Sequence, residues 1–326
     1  MTDVTVVLLD GGLPSTSMVP LEIFACAGSL WSTFTGTAAE PRFRVRTATI
    51  DGKKTQNFVP VSLEPTASLA DISRTDLVIV PAAGMDLDAA RARNAGVVEW
   101  LARRHRRKTA IAGICSGVSL LAAAGLLDGR PATTHWGIVD QCRALYPKVS
   151  WSADHFVTES DNVFCGGGMY ASIDLSLYLV ERFCGHLVAV QTAKSLLLER
   201  PRQSQASYAA TVPRLAHDDQ AVQRAQKWLF AHSRKAVDLD TLAGKVGMSP
   251  RNFARRFKAA TGDAPLAYLH RLRIDSAKHQ LESAQRSVHE ISRRIGYEDV
   301  AFFRQLFRRY TGTSPREYRA RFGPTP

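Results

Sequence analysis

Six residues near the end of the chain, Phe253, Phe257, Thr261, Gly262, Pro265 and Tyr268, recur fifty positions later as Phe303, Phe307, Thr311, Gly312, Pro315 and Tyr318. A repeat with aromatic residues four apart, closed by Gly and then Pro, describes a supersecondary unit whose aromatic stripe must be buried. Ahead of each copy, Leu242-Ala243-Gly244-Lys245-Val246-Gly247 matches Ile291-Ser292-Arg293-Arg294-Ile295-Gly296 at an offset of 49, so the second copy carries one extra residue in its turn. Each copy reads as helix, glycine turn, helix: a helix-turn-helix unit.

In the second helix of each copy, residues two positions from a buried aromatic lie about 200° around the axis and face outward. That places Arg251 and Arg255 outside in copy one and Ala301 and Gln305 outside in copy two, with Asn252 and Arg304 completing the candidate base-contacting set. Arg pairs with guanine, Gln with adenine, and Ala packs on the thymine methyl in a major groove. Lys258, Arg308 and Arg309 stand near the ends of the same helices and suit phosphate, where positive charge helps without carrying sequence information.

Charge agrees with this placement. Residues 221–326 hold 21 Lys/Arg against 9 Asp/Glu, and of the chain's 42 and 30 this leaves 21 of each upstream. A basic segment attracts polyanions; a cationic membrane-surface helix or simple solubility would give the same count. The 326 residues suit two domains. The five cysteines, Cys26, Cys115, Cys142, Cys165 and Cys184, include no C-x-x-C pair and read as reduced thiols, with no structural zinc site. The early apolar run 4–9 lacks a basic flank and reads as a strand, Asp174 and Glu181 interrupt the best candidate span, and a cytoplasmic, non-membrane protein is expected.

From residue 1 to about 200, short apolar β-branched runs at 4–9, 43–50, 77–80 and 110–114 alternate with helical stretches. Such alternation implies a doubly wound α/β (flavodoxin-like) domain with a mostly parallel sheet. The polar stretch 201–217 has no periodicity and is expected to be a linker, followed by an all-α domain over 218–326 whose first helix is capped by Asp218-Asp219 and ends near His232. The basic run Arg103-Arg104-His105-Arg106-Arg107-Lys108 ends a helix and is expected to face solvent.

Met248-Ser249-Pro250-Arg251-Asn252-Phe253, then Arg256-Phe257, and Gly312-Thr313-Ser314-Pro315-Arg316-Glu317-Tyr318-Arg319 resemble the AraC/XylS family domain over roughly residues 220–322. The resemblance implies two helix-turn-helix subdomains joined by a long helix near 266–281, set into successive major grooves on one face of DNA. Ala301 departs from the small polar residue usual at its position.

In the first half, Gly113-Ile114-Cys115-Ser116-Gly117 follows an apolar strand and precedes a helix, which reproduces a nucleophile elbow with Cys at its centre. A helix N-terminus there lowers a thiol's pKa and binds anions, so Cys115 has the surroundings of a reactive thiolate; the alternative is an ordinary buried cysteine. The elbow, Pro20-Leu21-Glu22-Ile23-Phe24, and Ala124-Gly125-Leu126-Leu127-Asp128-Gly129-Arg130 leading to Thr133-Thr134-His135-Trp136 together resemble the ThiJ/PfpI family, within the class I glutamine amidotransferase-like fold. The resemblance implies that Glu22 hydrogen-bonds Cys115 and that His135 lies nearby. Ser116 stands where peptidase-like members have His, and Pro81-Ala82-Ala83-Gly84 replaces a Gly-Gly loop.

The two halves together resemble the GlxA-type group of AraC regulators. The expected function is therefore sequence-specific DNA binding controlled by a small molecule, with no enzymatic turnover and no cofactor or metal. Cys115, Ser116, Glu22 and His135 are the expected effector-binding residues. The resemblance points to a nitrogenous metabolite as effector, and RNA polymerase and a second copy of the chain are the expected protein partners. The competing expectation is a ThiJ/PfpI-like hydrolase or hydratase with an autoregulatory DNA-binding tail.

Overall fold

A computed structural model describes residues 1–199, 202, 204–210, 217–283 and 285–324. The chain divides into two compact units, Met1–Gln205 and Ala206–Pro326. Within the expected linker 201–217, residues 201, 203 and 211–216 lie outside the described residues.

The first unit opens with β1 (Thr2–Val7), α1 (Ser15–Cys26), α2 (Leu30–Thr35) and β2 (Phe43–Thr49). Short strands β3 (Thr55–Gln56), β4 (Ser62–Leu63) and β5 (Ala67–Ser68) precede β6 (Leu77–Val80), α3 (Leu87–Arg93), α4 (Ala95–Arg106), β7 (Ala110–Ile114) and α5 (Gly117–Ala123). Then come β8 (Pro131–Ala132), α6 (Val139–Leu145), β9 (Ser150–Trp151), β10 (Val157–Ser160), β11 (Val163–Gly166), α7 (Ala171–Cys184) and α8 (His186–Ser195). A seven-stranded sheet runs β10-β11-β7-β6-β1-β2-β5. Every pairing in it is parallel except that of β10 with β11 at the edge.

All residues of β6 and β7 are buried because helices cover both faces of the sheet, which is why these strands read as continuous apolar runs. One face packs Trp100, Leu101, Val118 and Leu121; the other packs Phe24, Phe164, Leu175 and Leu179. Gly117 is demanded by a close approach: a Cβ there would sit 2.1 Å from the Pro81 carbonyl oxygen, so α5 can start against β6 only with glycine.

The basic run at the end of α4 does not face solvent throughout. Arg104 turns inward, donating to the carbonyls of Ile72 and Ser73, and its guanidinium lies 4.8 Å from the Trp100 ring centroid. The helical period decides this, since positions 97, 100, 101 and 104 form the buried face of α4.

The second unit is helical: α9 (Gln220–His232), α10 (Leu239–Lys245), α11 (Pro250–Thr261), α12 (Pro265–Ser283), α13 (Val288–Arg294), α14 (Val300–Thr311) and α15 (Pro315–Phe322). Asp219 caps α9, accepting from the Val222 N–H at 3.1 Å. Two separate cores form. Phe253, Phe257, Leu242, Leu229 and Tyr268 fill the first, and Phe303, Phe307, Ile291, Ile295 and Tyr318 fill the second. The repeated Phe pairs meet edge to face, at centroid separations of 5.3 Å and 5.8 Å. Four residues separate α10 from α11 and five separate α13 from α14, which locates the extra residue of the second copy in its turn.

Phe307 is fully buried, so Phe307→Ala should cost the helical unit about 3–5 kcal/mol. Urea unfolding followed by circular dichroism measures this, and a loss under about 1 kcal/mol would contradict the packing described.

Candidate DNA interface and effector site

Helices α11 and α14 start on side-chain caps. Ser249 accepts from the Asn252 N–H, and Asp299 accepts from the N–H groups of Ala301 and Phe302 at 2.7 and 3.1 Å. With the phenylalanines buried, Arg251, Arg255 and Lys258 are exposed along α11, and Ala301, Arg304, Gln305, Arg308 and Arg309 are exposed along α14. Asn252 is half-buried and accepts from Arg255 Nη2 at 3.0 Å, which pre-orients that guanidinium. The neighbouring Arg256 is different: it grips Asp219 with two hydrogen bonds of 2.8 Å and ties α11 to the start of α9. That pairing holds the Asp219 carboxyl below its usual range.

A cavity of about 650 Å³ adjoins α14, lined in part by Arg304, Gln305, Arg308, Arg316 and Arg319. Arg316 and Arg319 were not among the expected DNA contacts. Their signal is Ser314-Pro315-Arg316-Glu317, a capping box in which Glu317 accepts from the Ser314 N–H at 2.7 Å and fixes the start of α15 beside α14.

In the first unit, Cys115 stands between β7 and α5 with φ +54°, a left-handed conformation uncommon for a non-glycine residue. Its N–H donates to the Gly166 carbonyl and its own carbonyl accepts from Thr134 Oγ1, both at 2.8 Å. The thiol is 2% exposed. Burial pushes its pKa up to about 11, outweighing the lowering by the Ser116 N–H. The helix terminus was expected to lower this pKa; desolvation of a charge inside the unit wins instead.

The remaining expected partners differ in their surroundings. Ser116 is buried, and its Oγ accepts from the Ala83 N–H at 3.0 Å. The Ala82 N–H likewise donates to Thr16 Oγ1 at 3.0 Å, so these two amides of the loop after β6 are engaged within the fold. Glu22 is exposed, because α1 buries positions 16, 17, 20, 23 and 24 and position 22 falls off that face. Among the described residues no hydrogen bond joins Glu22 to Cys115. The Cys26 thiol is raised by its own burial and then by the Glu22 charge. His135 is half-buried; its Nδ1 accepts from the Gly137 N–H at 3.0 Å, which assigns the ring proton to Nε2, and burial lowers its pKa and favours the neutral ring.

Gln205, within the stretch 201–217 expected to be a linker, is buried in the first unit, which the sequence did not suggest. It is 2% exposed, and its Nε2 donates to Thr133 Oγ1 (3.2 Å) and to the carbonyls of Thr134 (2.8 Å) and His155 (3.1 Å). Its Oε1 accepts from the Trp136 N–H at 3.3 Å. Three residues before it, Arg202 pairs with the buried Asp174 at 2.7 Å and covers the Phe156 ring at 4.4 Å. A separate cavity of about 510 Å³, lined in part by Met18, Leu21, Phe43, Arg46 and Glu64, includes neither Cys115 nor His135. Among the described residues no cluster of three or more His, Cys, Asp or Glu side chains could hold a metal ion, and no helix is long and apolar enough to cross a membrane.

Two exposed basic helices on a duplicated helix-turn-helix scaffold, in one chain with a doubly wound α/β unit, define a DNA-binding transcription regulator. Residues 242–321 match the helix-turn-helix domain model and residues 27–182 match the DJ-1/PfpI family model. The chain is 30% identical over 263 residues to the HTH-type transcriptional regulator CdhR of Pseudomonas aeruginosa, covering 80% of this chain and 76% of that one. It is 28% identical over 226 residues to the HTH-type transcriptional regulator GlxA of Rhizobium meliloti, covering 68% and 69%. The chain belongs to the family of AraC-type helix-turn-helix regulators that carry an N-terminal DJ-1/PfpI domain. The α/β fold also matches the crystal structure of Drosophila melanogaster DJ-1beta, with a TM-score of 0.52 and 21% identity over 61% of this chain and 98% of that one.

The raised thiol pKa sets a pH test. At pH 7.5 the thiolate fraction of Cys115 is about a hundredth of an ordinary cysteine's, so iodoacetamide should label it slowly, with a rate that climbs toward pH 11. Because the folded value lies above the ordinary 9.0, the buried thiol's contribution to stability is complete below that pH and is lost as pH rises through about 11. Rapid labelling at pH 7, or a rate that levels off below pH 8, would contradict this.

Proposed function

We propose that the protein is an effector-controlled, sequence-specific transcription regulator acting in the cytoplasm as a homodimer that engages RNA polymerase. The observation that carries the reading is the pair of capped helices α11 and α14, each burying two phenylalanines and exposing groove-reading side chains. Arg251, Asn252, Arg255, Ala301, Arg304 and Gln305 face bases; Lys258, Arg308 and Arg309 face phosphates. The effector is a small nitrogenous metabolite bound at the carboxyl edge of the sheet beside Cys115, Ser116 and His135, the edge at which doubly wound sheets hold ligands.

Turnover is not part of this function. A protonated Cys115, a His135 whose Nδ1 is engaged by the Gly137 N–H, and Ala82 and Ala83 amides already bonded within the fold support this reading. The competing enzyme reading requires hydrolysis or hydration at about 1 per second or faster, abolished by Cys115→Ala. A second placement of the effector is favoured by the cavity of about 510 Å³ beside α1, where Arg46 and Glu64 could meet a charged metabolite.

DNA affinity of the intact protein should fall steeply with salt, by about a thousandfold between 50 and 200 mM. Arg255→Ala should cost about 1–3 kcal/mol at one base position, while Lys258→Ala weakens all sequences alike. Salt-insensitive binding, or equal behaviour of the two variants, would count against the assigned roles. For the effector, a thermal-shift screen of nitrogenous metabolites should yield a compound that stabilises the wild type. Cys115→Trp should abolish that stabilisation and Cys115→Ser should keep it; loss with Met18→Trp instead would move the site to the α1 cavity.

A further inference from the structure

Arg273 sits near the middle of α12, is 7% exposed, and among the described residues has no ion pair. Its guanidinium is satisfied by backbone. Nε donates to the Ser233 carbonyl at 2.7 Å, Nη2 to the Lys235 carbonyl at 2.8 Å, and Nη1 to the Gly296 carbonyl at 3.1 Å. The Tyr297 ring lies over it at 4.9 Å.

These partners come from different places. Ser233 and Lys235 lie between α9 and α10, in the first helix-turn-helix subdomain, whereas Gly296 and Tyr297 form the turn between α13 and α14, in the second. The flanking residues on α12 are divided in the same way, Leu272 into the first core and Ile274 into the second. Arg273 therefore grips both subdomains at their junction. The approach is tight: a Cβ at Gly296 would lie 3.0 Å from both the Arg234 carbonyl oxygen and Arg273 Nη2, and Gly296 has φ +95°. One turn earlier on α12, His270 Nδ1 meets the Tyr297 hydroxyl at 2.6 Å.

Burying a guanidinium is costly, and packed apolar side chains of similar volume commonly stabilise as well or better, so stability alone is a weak reason for this residue. A planar fork with fixed donor directions does what an apolar side chain cannot, since it constrains angle as well as contact. We propose that Arg273 is a positioning residue that fixes the separation and phase of α11 and α14, and thereby sets the spacing between the two halves of the DNA site that the protein accepts. The proposal rests on the reading of α11 and α14 as the two recognition helices. One inserted base pair shifts a half-site by about 3.4 Å and about a tenth of a turn, more than a rigid pair of helices can follow.

The test begins with wild-type full-length protein and a random duplex pool, from which a two-part site is selected. Affinities are then measured for that site and for versions with one base pair added or removed between its halves. The wild type should lose about a hundredfold or more on either change. Arg273→Met and Arg273→Lys, checked for folding by circular dichroism, should bind the selected spacing more weakly yet lose less than about tenfold on the altered spacings. Gly296→Ala leaves residue 273 unchanged but presses a methyl onto the Arg234 carbonyl and the Arg273 guanidinium at the same junction, so it should relax spacing in the same direction and decides the matter if Arg273→Met does not fold. Folded variants that weaken every spacing by the same factor would reduce Arg273 to a stabilising residue and overturn the proposal while leaving the two recognition helices in place. A selected site with only one conserved half would overturn both.

Discussion

One helix serves two hydrophobic cores, and the geometry of the DNA-binding unit depends on it. Tyr268, Leu269 and Leu272 of α12 pack into the first core, and Ile274, Ala277 and Leu281 pack into the second. A 19-residue helix is stiff on this scale, so two subdomains that each bury their phenylalanines against it cannot move independently. Capping then sharpens what packing allows. Ser249 and Asp299 start α11 and α14 at defined residues, and the buried Phe pairs determine which side chains those helices present outward.

The α/β unit applies the same economy to a different end. Its elbow residue holds a strained φ, but the strain is surrounded by completed hydrogen bonds: Cys115 with Gly166 and Thr134, Ser116 with Ala83, and Thr16 with Ala82. These donors are committed to the resting fold. Gln205, buried among Thr133, Thr134, Trp136 and His155, makes the end of this unit part of the same hydrogen-bonded network as the elbow.

Features that depend on local periodicity were legible in the sequence. The fifty-residue repeat named the buried phenylalanines, the exposed residues between them and the longer second turn, because a helix repeats its faces every 3.6 residues whatever surrounds it. The central strands β6 and β7 announced themselves as unbroken apolar runs. Strands β5, β10 and β11 did not: β5 has only two residues, β10 is a polar, half-buried edge strand, and β11 mixes Phe and Cys with a closing Gly in place of a β-branched run. Side-chain direction set by distant neighbours was equally hidden. Arg104 reads as one more charge in a basic run, yet α4 turns it onto the Ile72 and Ser73 carbonyls. Glu22 sits in a matching motif, but α1 buries other positions. Arg273 looks like an ordinary helix-surface arginine until the two subdomains close around it. Whether a thiol is poised or silenced also depends on enclosure, which a five-residue elbow motif does not encode.

The central claim is that α11 and α14 read successive major grooves on one face of DNA. Methylation interference with the intact protein on the promoter it binds tests this most directly, because N7 methylation of guanine blocks major-groove readout. The account predicts two clusters of interfering guanines about one helical turn apart, 10–10.5 base pairs, on the same face of the duplex. A single cluster, or two clusters on opposite faces, would contradict it.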